Sequence, residues 1–162
     1  MERLLVALDC TPECQKIVGY LVRTLKGTSN CEFHLFHILP TVSPEKLRKE
    51  TLQRIERTHE ARPDLAGYFW KEEDEKNMYH NFSLAWKELV SSGFSEGVIF
   101  SDFGVESGDL ADIILQKAEE LGCSTVILGR KRLSRVKEFI LGSVSGSVVK
   151  LARGVTVWII EN

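Results

Sequence analysis

Apolar residues follow two patterns that alternate along the chain. Some form short continuous runs, and others recur every three or four positions. Residues 4–8 form a continuous apolar run, which predicts a strand buried on both faces of a parallel sheet. Asp9-Cys10-Thr11-Pro12 predicts a turn, with Thr11 as helix N-cap and Pro12 as the first helical residue. Gly27 is suited to the C-terminus of this helix. Its apolar positions share one face: Ile17, Val18, Leu21, Val22 and Leu25.

The middle of the chain, residues 41–97, is a variable segment with helical character. A strand is predicted over residues 33–39, and Ser43-Pro44 then opens a charged helix that reaches about His59. Arg62-Pro63-Asp64 ends it. A second helix is predicted over residues 71–92. Its apolar stripe is typical of core packing, and a hydrophobic surface for a partner is the alternative: Met78, Phe82, Trp86, Leu89 and Val90.

A regular alternation returns after Gly97. Strands are predicted over residues 98–103, 125–128 and 155–160, and helices over residues 110–121 and 144–152. Ser107-Gly108-Asp109 caps the first of these helices, and Gly122 ends it. Alternating strands and helices predict an α/β fold, a Rossmann-like open five-stranded parallel sheet with helices on both faces. Residues 1–162 are expected to form a single domain.

Composition narrows the classes of function. The chain has 162 residues, 43% hydrophobic and 27% charged, as in ordinary globular proteins. A net charge of -2 makes nucleic acid an unlikely partner. No apolar run approaches the roughly 20 residues that span a bilayer, so a cytoplasmic protein without a membrane partner is expected. The four cysteines show neither zinc-site nor disulfide spacing, which predicts inert thiols, with redox sensing by Cys10 and Cys14 as the alternative.

The chemistry of the chain is concentrated in two glycine-containing turns. Gly129-Arg130-Lys131-Arg132 follows a predicted strand, and Gly142-Ser143 precedes a predicted helix after nine intervening residues. Glycine lets a backbone approach a ligand closely, and the N-H groups at a helix N-terminus favour an anion. Five basic residues add positive charge to the same segment: Arg130, Lys131, Arg132, Arg135 and Lys137. The pattern predicts a phosphate-binding site.

These residues give the chain a resemblance to the universal stress protein family over essentially its full length. The family spacing is Gly, two residues, Gly, nine residues, then Gly followed by Ser or Thr, and Gly129 to Ser143 follows it except that Arg132 replaces the second glycine. The strand ending in Asp9, the Phe36-His37-Ile38 strand, the Gly108-Asp109 helix entry and the C-terminal strand are also similar to the family.

The resemblance implies a site for an adenine nucleotide, usually ATP, with Mg²⁺ left open as a companion ion. The implied site residues are Ala7, Asp9, Ile38, Leu128, Gly129, Arg132, Gly142, Ser143, Val144 and Ser145. Asp9 is suited to a ribose hydroxyl or the adenine amine, and capping of the following helix is the alternative. Ser143 is suited either to a phosphate or to capping its helix. The Ile38 backbone is expected near adenosine.

Arg132 leaves two alternatives open at the phosphate site. A long side chain there can obstruct the approach of the backbone to phosphate, or its guanidinium can supply a bidentate contact; a third possibility is a solvated residue away from the site. No nucleophile elbow, metal cluster or carboxylate pair supports catalysis, so at most slow ATP hydrolysis is expected.

The expected function is therefore a regulatory or stress-response protein that binds adenine nucleotide. The alternative is a dimeric interaction module of the same fold without nucleotide. A homodimer through the C-terminal strand is expected in either case, because this strand is apolar on both faces and should lie at a sheet edge.

Overall fold

The structure is a computed structural model and describes residues 1–130 and 141–161. Strands and α-helices alternate in this part of the chain, except that two α-helices separate the second strand from the third. The strands are β1 (Glu2–Ala7), β2 (Cys31–Leu39), β3 (Ile99–Val105), β4 (Thr125–Arg130) and β5 (Thr156–Glu161). The helices are α1 (Cys14–Leu25), α2 (Lys49–Ala61), α3 (Glu72–Ser91), α4 (Leu110–Glu120) and α5 (Ser143–Leu151). Short 3-10 turns occupy Pro44–Lys46, Pro63–Leu65 and Glu96–Val98.

The strands form one parallel sheet in the order β3-β2-β1-β4-β5. This confirms the predicted five-stranded parallel α/β fold. The chain builds outward from β1 to β3 and then crosses to the other side of β1 to build β4 and β5. Loops that leave β1 and β4 therefore diverge, and in open sheets of this kind a ligand crevice opens beyond the carboxyl ends of the strands at such a reversal.

Alternate residues of β1 face different helices. Leu4 and Val6 belong to a core cluster shared with α1, α2 and α3, whereas Leu5 belongs to a second cluster shared with α4 and α5. Strand side chains point to opposite faces in turn, so continuous apolar runs are needed when helices cover both faces. The predicted placement of helices on both faces of the sheet is confirmed.

The apolar stripe of the second predicted helix lies in the core. Met78, Phe82 and Leu89 of α3 are buried, and Trp86 and Val90 pack against the same cluster. Acidic side chains fill the first turn of α3, where they interact favourably with the helix dipole: Glu72, Glu73, Asp74 and Glu75. The structure thus supports the core interpretation of this stripe over the partner-surface alternative.

The predicted start of α1 is wrong by two residues. The helix begins at Cys14 rather than at Pro12, and Thr11 is not its N-cap. Instead the backbone N-H and the hydroxyl of Thr11 both donate to Asp9 Oδ1, at 3.1 and 2.7 Å. The Thr11 carbonyl then accepts from Cys14 N. Because Thr11 is held in this side-chain-mediated turn, it cannot open the helix.

The helix predicted from Ser43-Pro44 is also corrected. Only a 3-10 turn forms at Pro44–Lys46, and α2 begins at Lys49. Leu47 between them is extended and packs against the core cluster. The extended backbone at Leu47 separates the 3-10 turn from α2, so the two do not form one helix. The end of α2 at Ala61, before Arg62-Pro63-Asp64, is as predicted.

Candidate functional site

A pocket of about 430 Å³ lies beyond the carboxyl ends of β1 and β4, at the reversal of strand order. Its walls bring together every site residue predicted from the sequence that lies in the described part of the chain: Ala7, Asp9, Ile38, Leu128, Gly129, Gly142, Ser143, Val144 and Ser145. Arg132, the remaining predicted residue, lies outside the described residues. Residues from β1, β2, β4 and α5 therefore meet at one place, although they are far apart in sequence.

Asp9 forms the rim of the pocket at the end of β1. Its carboxylate accepts from the backbone N-H and the hydroxyl of Thr11 and so closes the turn. The alternative that Asp9 caps the following helix is wrong, because the N-cap residue of α1 is Glu13. A carboxylate has about four acceptor positions. The turn and a hydroxyl or amine of a ligand can therefore share Asp9.

The two cysteines beside this turn are poorly suited to redox chemistry. Cys10 and Cys14 are both buried. Burial raises the pKa of Cys10 to about 12 and that of Cys14 to about 11. The thiolate is the reactive form of cysteine. These raised pKa values support the prediction of inert thiols over the redox-sensing alternative.

The end of β2 projects past the end of β1. The β1–β2 pairing stops at Ala7 opposite Phe36, so His37 and Ile38 lie where no β1 residue faces them. Leu8 N still donates to the Phe36 carbonyl at 2.8 Å, but the Leu8 carbonyl accepts from His37 Nδ1 at 2.6 Å. The His37 side chain thereby ends the ladder between the two strands. This termination leaves the Ile38 backbone at the pocket, where the resemblance places adenosine.

His37 is expected to make folding stability depend on pH. Burial lowers the pKa of His37 below 6.5 and outweighs the Leu8 hydrogen bond and the carboxylates of Asp9 and Asp74, which raise it. Below about pH 6.5, His37 therefore binds a proton more readily in the unfolded chain than in the folded chain. The free energy of unfolding decreases as the pH falls through this range. We expect His37→Gln to flatten this loss in denaturant titrations at a series of pH values. His80→Gln, at an exposed histidine of α3, should leave it unchanged; equal slopes in all three proteins would contradict this assignment.

The N-terminus of α5 forms another wall of the pocket. Gly142 is the N-cap, and the first helical hydrogen bond runs from Gly146 N to its carbonyl at 2.8 Å. Ser145 is buried and its hydroxyl donates to the same carbonyl at 3.2 Å. The capping alternative for Ser143 is wrong, because Ser143 is the first residue inside the helix. N-H groups in the first turn of a helix have no intrahelical acceptor, which favours an anion at this wall.

Charged groups in the described walls are acidic. Asp9 and Glu106 are the charged residues among the described residues that line the pocket. Sequence reasoning missed Glu106 because it ended the third strand at residue 103, whereas β3 continues to Val105 and places Glu106 at its carboxyl end. The sequence patterns also did not indicate the apolar lining: Leu8, Ile17, Phe36, Pro40, Leu110 and Ile114. Carboxylates with apolar walls suit a neutral hydrogen-bond donor on a flat ring better than they suit a bare anion.

The described ranges contain neither a metal-binding cluster nor a membrane-spanning helix. No group of three or more His, Cys, Asp or Glu side chains there is arranged to hold a metal ion. None of the helices in these ranges combines the length and the apolar character needed to cross a membrane.

One family model matches nearly the whole chain. Residues 1–160 match the model of the universal stress protein family. No match is found among curated protein sequences. One similar solved structure is the universal stress protein of Archaeoglobus fulgidus in complex with dAMP (16% identity, 99% of this chain and 98% of that chain, TM-score 0.63).

Two further structures are similar over nearly the whole chain. A universal stress protein family protein of Arabidopsis thaliana with AMP bound shares 14% identity, with coverage of 100% of this chain and 92% of that chain and a TM-score of 0.64. A universal stress protein in complex with cAMP shares 18% identity, with coverage of 98% and 96% and a TM-score of 0.65. At these identities the likeness shows that the fold is shared.

Proposed function

The chain belongs to the universal stress protein family, and we propose that it binds an adenine nucleotide in the pocket between β1, β4 and α5. The observation that carries this proposal is the pocket itself, which gathers the predicted site residues of the described chain at the reversal of strand order. Family members of the same fold hold AMP, dAMP and cAMP. We further propose a regulatory role, in which occupancy of the pocket biases a partner contact.

Each wall of the pocket suits a different part of a nucleotide. Asp9 can accept from a ribose hydroxyl, because a carboxylate is a strong acceptor for neutral donors. The apolar wall that includes Phe36, Ile38 and Leu128 can enclose the base, and backbone groups at Ile38 can read its edge. Gly142 to Ser145 offer helix N-terminal N-H groups to phosphate.

We propose ATP as the preferred ligand, with Mg²⁺ able to accompany it. Asp9 and Glu106 repel phosphate, so a triphosphate needs positive charge from another part of the chain. The sequence supplies Lys131, Arg132, Arg135 and Lys137 between β4 and α5. Because this basic segment joins the two elements that form the phosphate side of the pocket, it is the natural source of that charge.

We propose that the chain forms a homodimer through β5, whether or not it binds a nucleotide. The strand lies at one edge of the sheet, with Trp158 and Ile159 half-buried. Val149 and Leu151 of the adjacent helix α5 are 45% and 47% exposed. Apolar side chains beside an edge strand favour pairing with a second chain. The same observations support the alternative function, an interaction module that needs no nucleotide.

Mild purification followed by denaturation tests the proposed function. We expect the supernatant to contain an adenine nucleotide, detected by its ultraviolet absorbance and identified chromatographically. Protein that has lost its ligand should recover it, so ATP added to a stripped sample should bind with a stoichiometry of one per chain by calorimetry. No released nucleotide together with no binding of ATP, AMP or adenosine would favour the interaction module.

A further inference from the structure

The edge of the sheet opposite β5 is formed by β3. An edge strand presents backbone N-H and C=O groups that can pair with a strand of another molecule. In β3 the pairing with β2 uses alternate residues, so the backbone groups of Phe103 and Ser101 point away from the sheet. These outward groups are where a foreign strand would attach.

Both outward groups of Phe103 are already satisfied by side chains. Arg62 Nη2 donates to the Phe103 carbonyl at 3.1 Å. The Phe103 N-H donates to Asp102 Oδ1 at 2.7 Å, and Arg62 Nη1 donates to the same carboxylate oxygen at 2.7 Å. We call Arg62, Asp64 and Asp102 the β3 clasp. It occupies the two positions of Phe103 that a pairing strand would need.

The clasp is fixed in place by further contacts. Asp64 accepts from Arg62 Nε at 2.9 Å and from Nη2 at 2.7 Å, which is the bidentate geometry of a strong pair. The guanidinium also lies 5.4 Å from the centre of the Phe103 ring. Lys117 of α4 approaches Asp102 Oδ2 at 3.2 Å. The side chain of Arg62 is therefore held from three sides and is only 28% exposed.

The groove beside the clasp differs from the nucleotide pocket in its charges. It has a volume of about 490 Å³ and is lined by Arg62, Asp64, Asp102, Lys117 and Glu120. These groups pair with one another, since Lys117 contacts both Asp102 and Glu120 and Arg62 contacts both aspartates. Charges that neutralise one another are suited to covering an edge rather than to binding a charged ligand.

We propose that the β3 clasp closes this edge of the sheet against strand pairing by a second copy of the chain. The consequence concerns assembly. Two open edges on one parallel sheet would permit β3 of one copy to pair with β5 of the next, a head-to-tail contact that does not close and produces filaments. With β3 covered, association is confined to the β5 edge, where two copies can form a closed pair. This inference does not depend on nucleotide binding.

The clasp also gives the variable segment a role in the fold. Arg62 and Asp64 flank Pro63 at the junction of α2 and the following 3-10 turn, so the segment over residues 41–97 supplies the cover for the edge strand that follows it. Proline restricts the backbone at this junction. The restricted backbone at this junction therefore helps to hold the guanidinium of Arg62 beside Phe103.

Light scattering on Arg62→Ala tests the proposal. We expect this variant to form species at least double the wild-type mass at micromolar concentrations, because the Phe103 carbonyl loses the Arg62 donor and becomes available to a pairing strand. Arg57→Ala removes the same charge from an exposed position of α2 and should keep the wild-type mass. Circular dichroism confirms that each variant is folded. If Arg62→Ala does not fold, Arg62→Lys is measured instead with the same expectation, since a single ammonium cannot replace the fork.

A second substitution shows which surface the larger species use. Ser101→Pro removes an outward N-H of β3, where proline is tolerated on an edge strand. In the Arg62→Ala background it should restore the wild-type mass. A folded Arg62→Ala protein of wild-type mass overturns the proposal, and so do larger species that persist when Ser101→Pro is added.

Discussion

Gly142→Val is expected to abolish ATP binding while the protein stays folded. Gly142 lines the pocket at the N-terminus of α5, and a valine side chain there would occupy the space over the N-H groups that phosphate needs. We expect the affinity for ATP to fall at least about 100-fold, which corresponds to about 2.7 kcal/mol. The affinity for adenosine should fall much less, because adenosine places no phosphate at this wall.

The structure makes Gly142→Val a clean test. Gly142 has a φ of -57°, which any residue adopts, so its backbone does not require glycine. A Cβ at this position would lie 3.5 Å from Ser145 Oγ, an ordinary contact. Gly146→Val adds the same bulk one turn further along α5, outside the pocket lining, and should leave ATP binding close to wild type. Calorimetry on the three proteins measures the effect; unchanged ATP affinity in Gly142→Val would place phosphate elsewhere.

Arg132→Ala is expected to weaken ATP binding by roughly 1.5 to 3 kcal/mol, the scale of a charge-assisted hydrogen bond. The described walls carry the carboxylates of Asp9 and Glu106, so the triphosphate must obtain its counter-charge from the basic segment that contains Arg132. Adenosine should be affected much less. The structure does not describe Arg132, and the expectation rests on the glycine spacing together with the charge of these walls.

Comparison of Arg132→Ala with Arg132→Gly separates a phosphate contact made by Arg132 from obstruction of the phosphate site by its side chain. Arg153→Ala removes an arginine just beyond the C-terminus of α5 and controls for the change in net charge. If Arg132 obstructs phosphate, Arg132→Gly would instead tighten ATP binding, which is the opposite sign. All titrations use one salt concentration, because exposed charges are screened by ions. If neither Arg132→Ala nor Arg132→Gly changes the affinity for ATP, the Arg132 side chain has no role in binding.

The sequence predicted the sheet because its signals are redundant. Continuous apolar runs mark strands that helices cover on both sides, and each predicted strand appears, as β1 shows with Leu4 and Val6 on one face and Leu5 on the other. The α3 helix was placed to within one residue at each end, and the apolar stripe that predicted it packs in the core. Such agreement between local pattern and global packing is what makes an element predictable.

The errors arose where a side chain competes with the backbone pattern. Thr11 has the chemistry of an N-cap, but Asp9 holds it in a turn, and the interaction of two short polar side chains is not visible in apolar spacing. Leu47 is extended between the 3-10 turn and α2, and its side chain packs against the core cluster. Ser143 resembles a cap, yet Gly142 occupies that position.

Tertiary contacts explain what the sequence left out of the site. The role of His37 follows from the end of the β1–β2 pairing, where its ring binds the Leu8 carbonyl beside the pocket. Glu106 was missed through an error of two residues in the end of β3. The β3 clasp joins Arg62 to Phe103 across 41 residues, a distance that no short motif encodes.

The most direct test of the central claim locates ATP on the folded protein. In a titration followed by NMR chemical shifts of backbone amides, we predict saturable changes that cluster at Asp9, Ile38, Gly129 and Ser143, at the carboxyl ends of β1, β2 and β4 and the start of α5. Amides near Asp102 and Lys117, which line the other groove, should stay unchanged. Shifts that cluster at that groove, or no saturable shifts at any ATP concentration, would contradict the claim that this pocket binds adenine nucleotide.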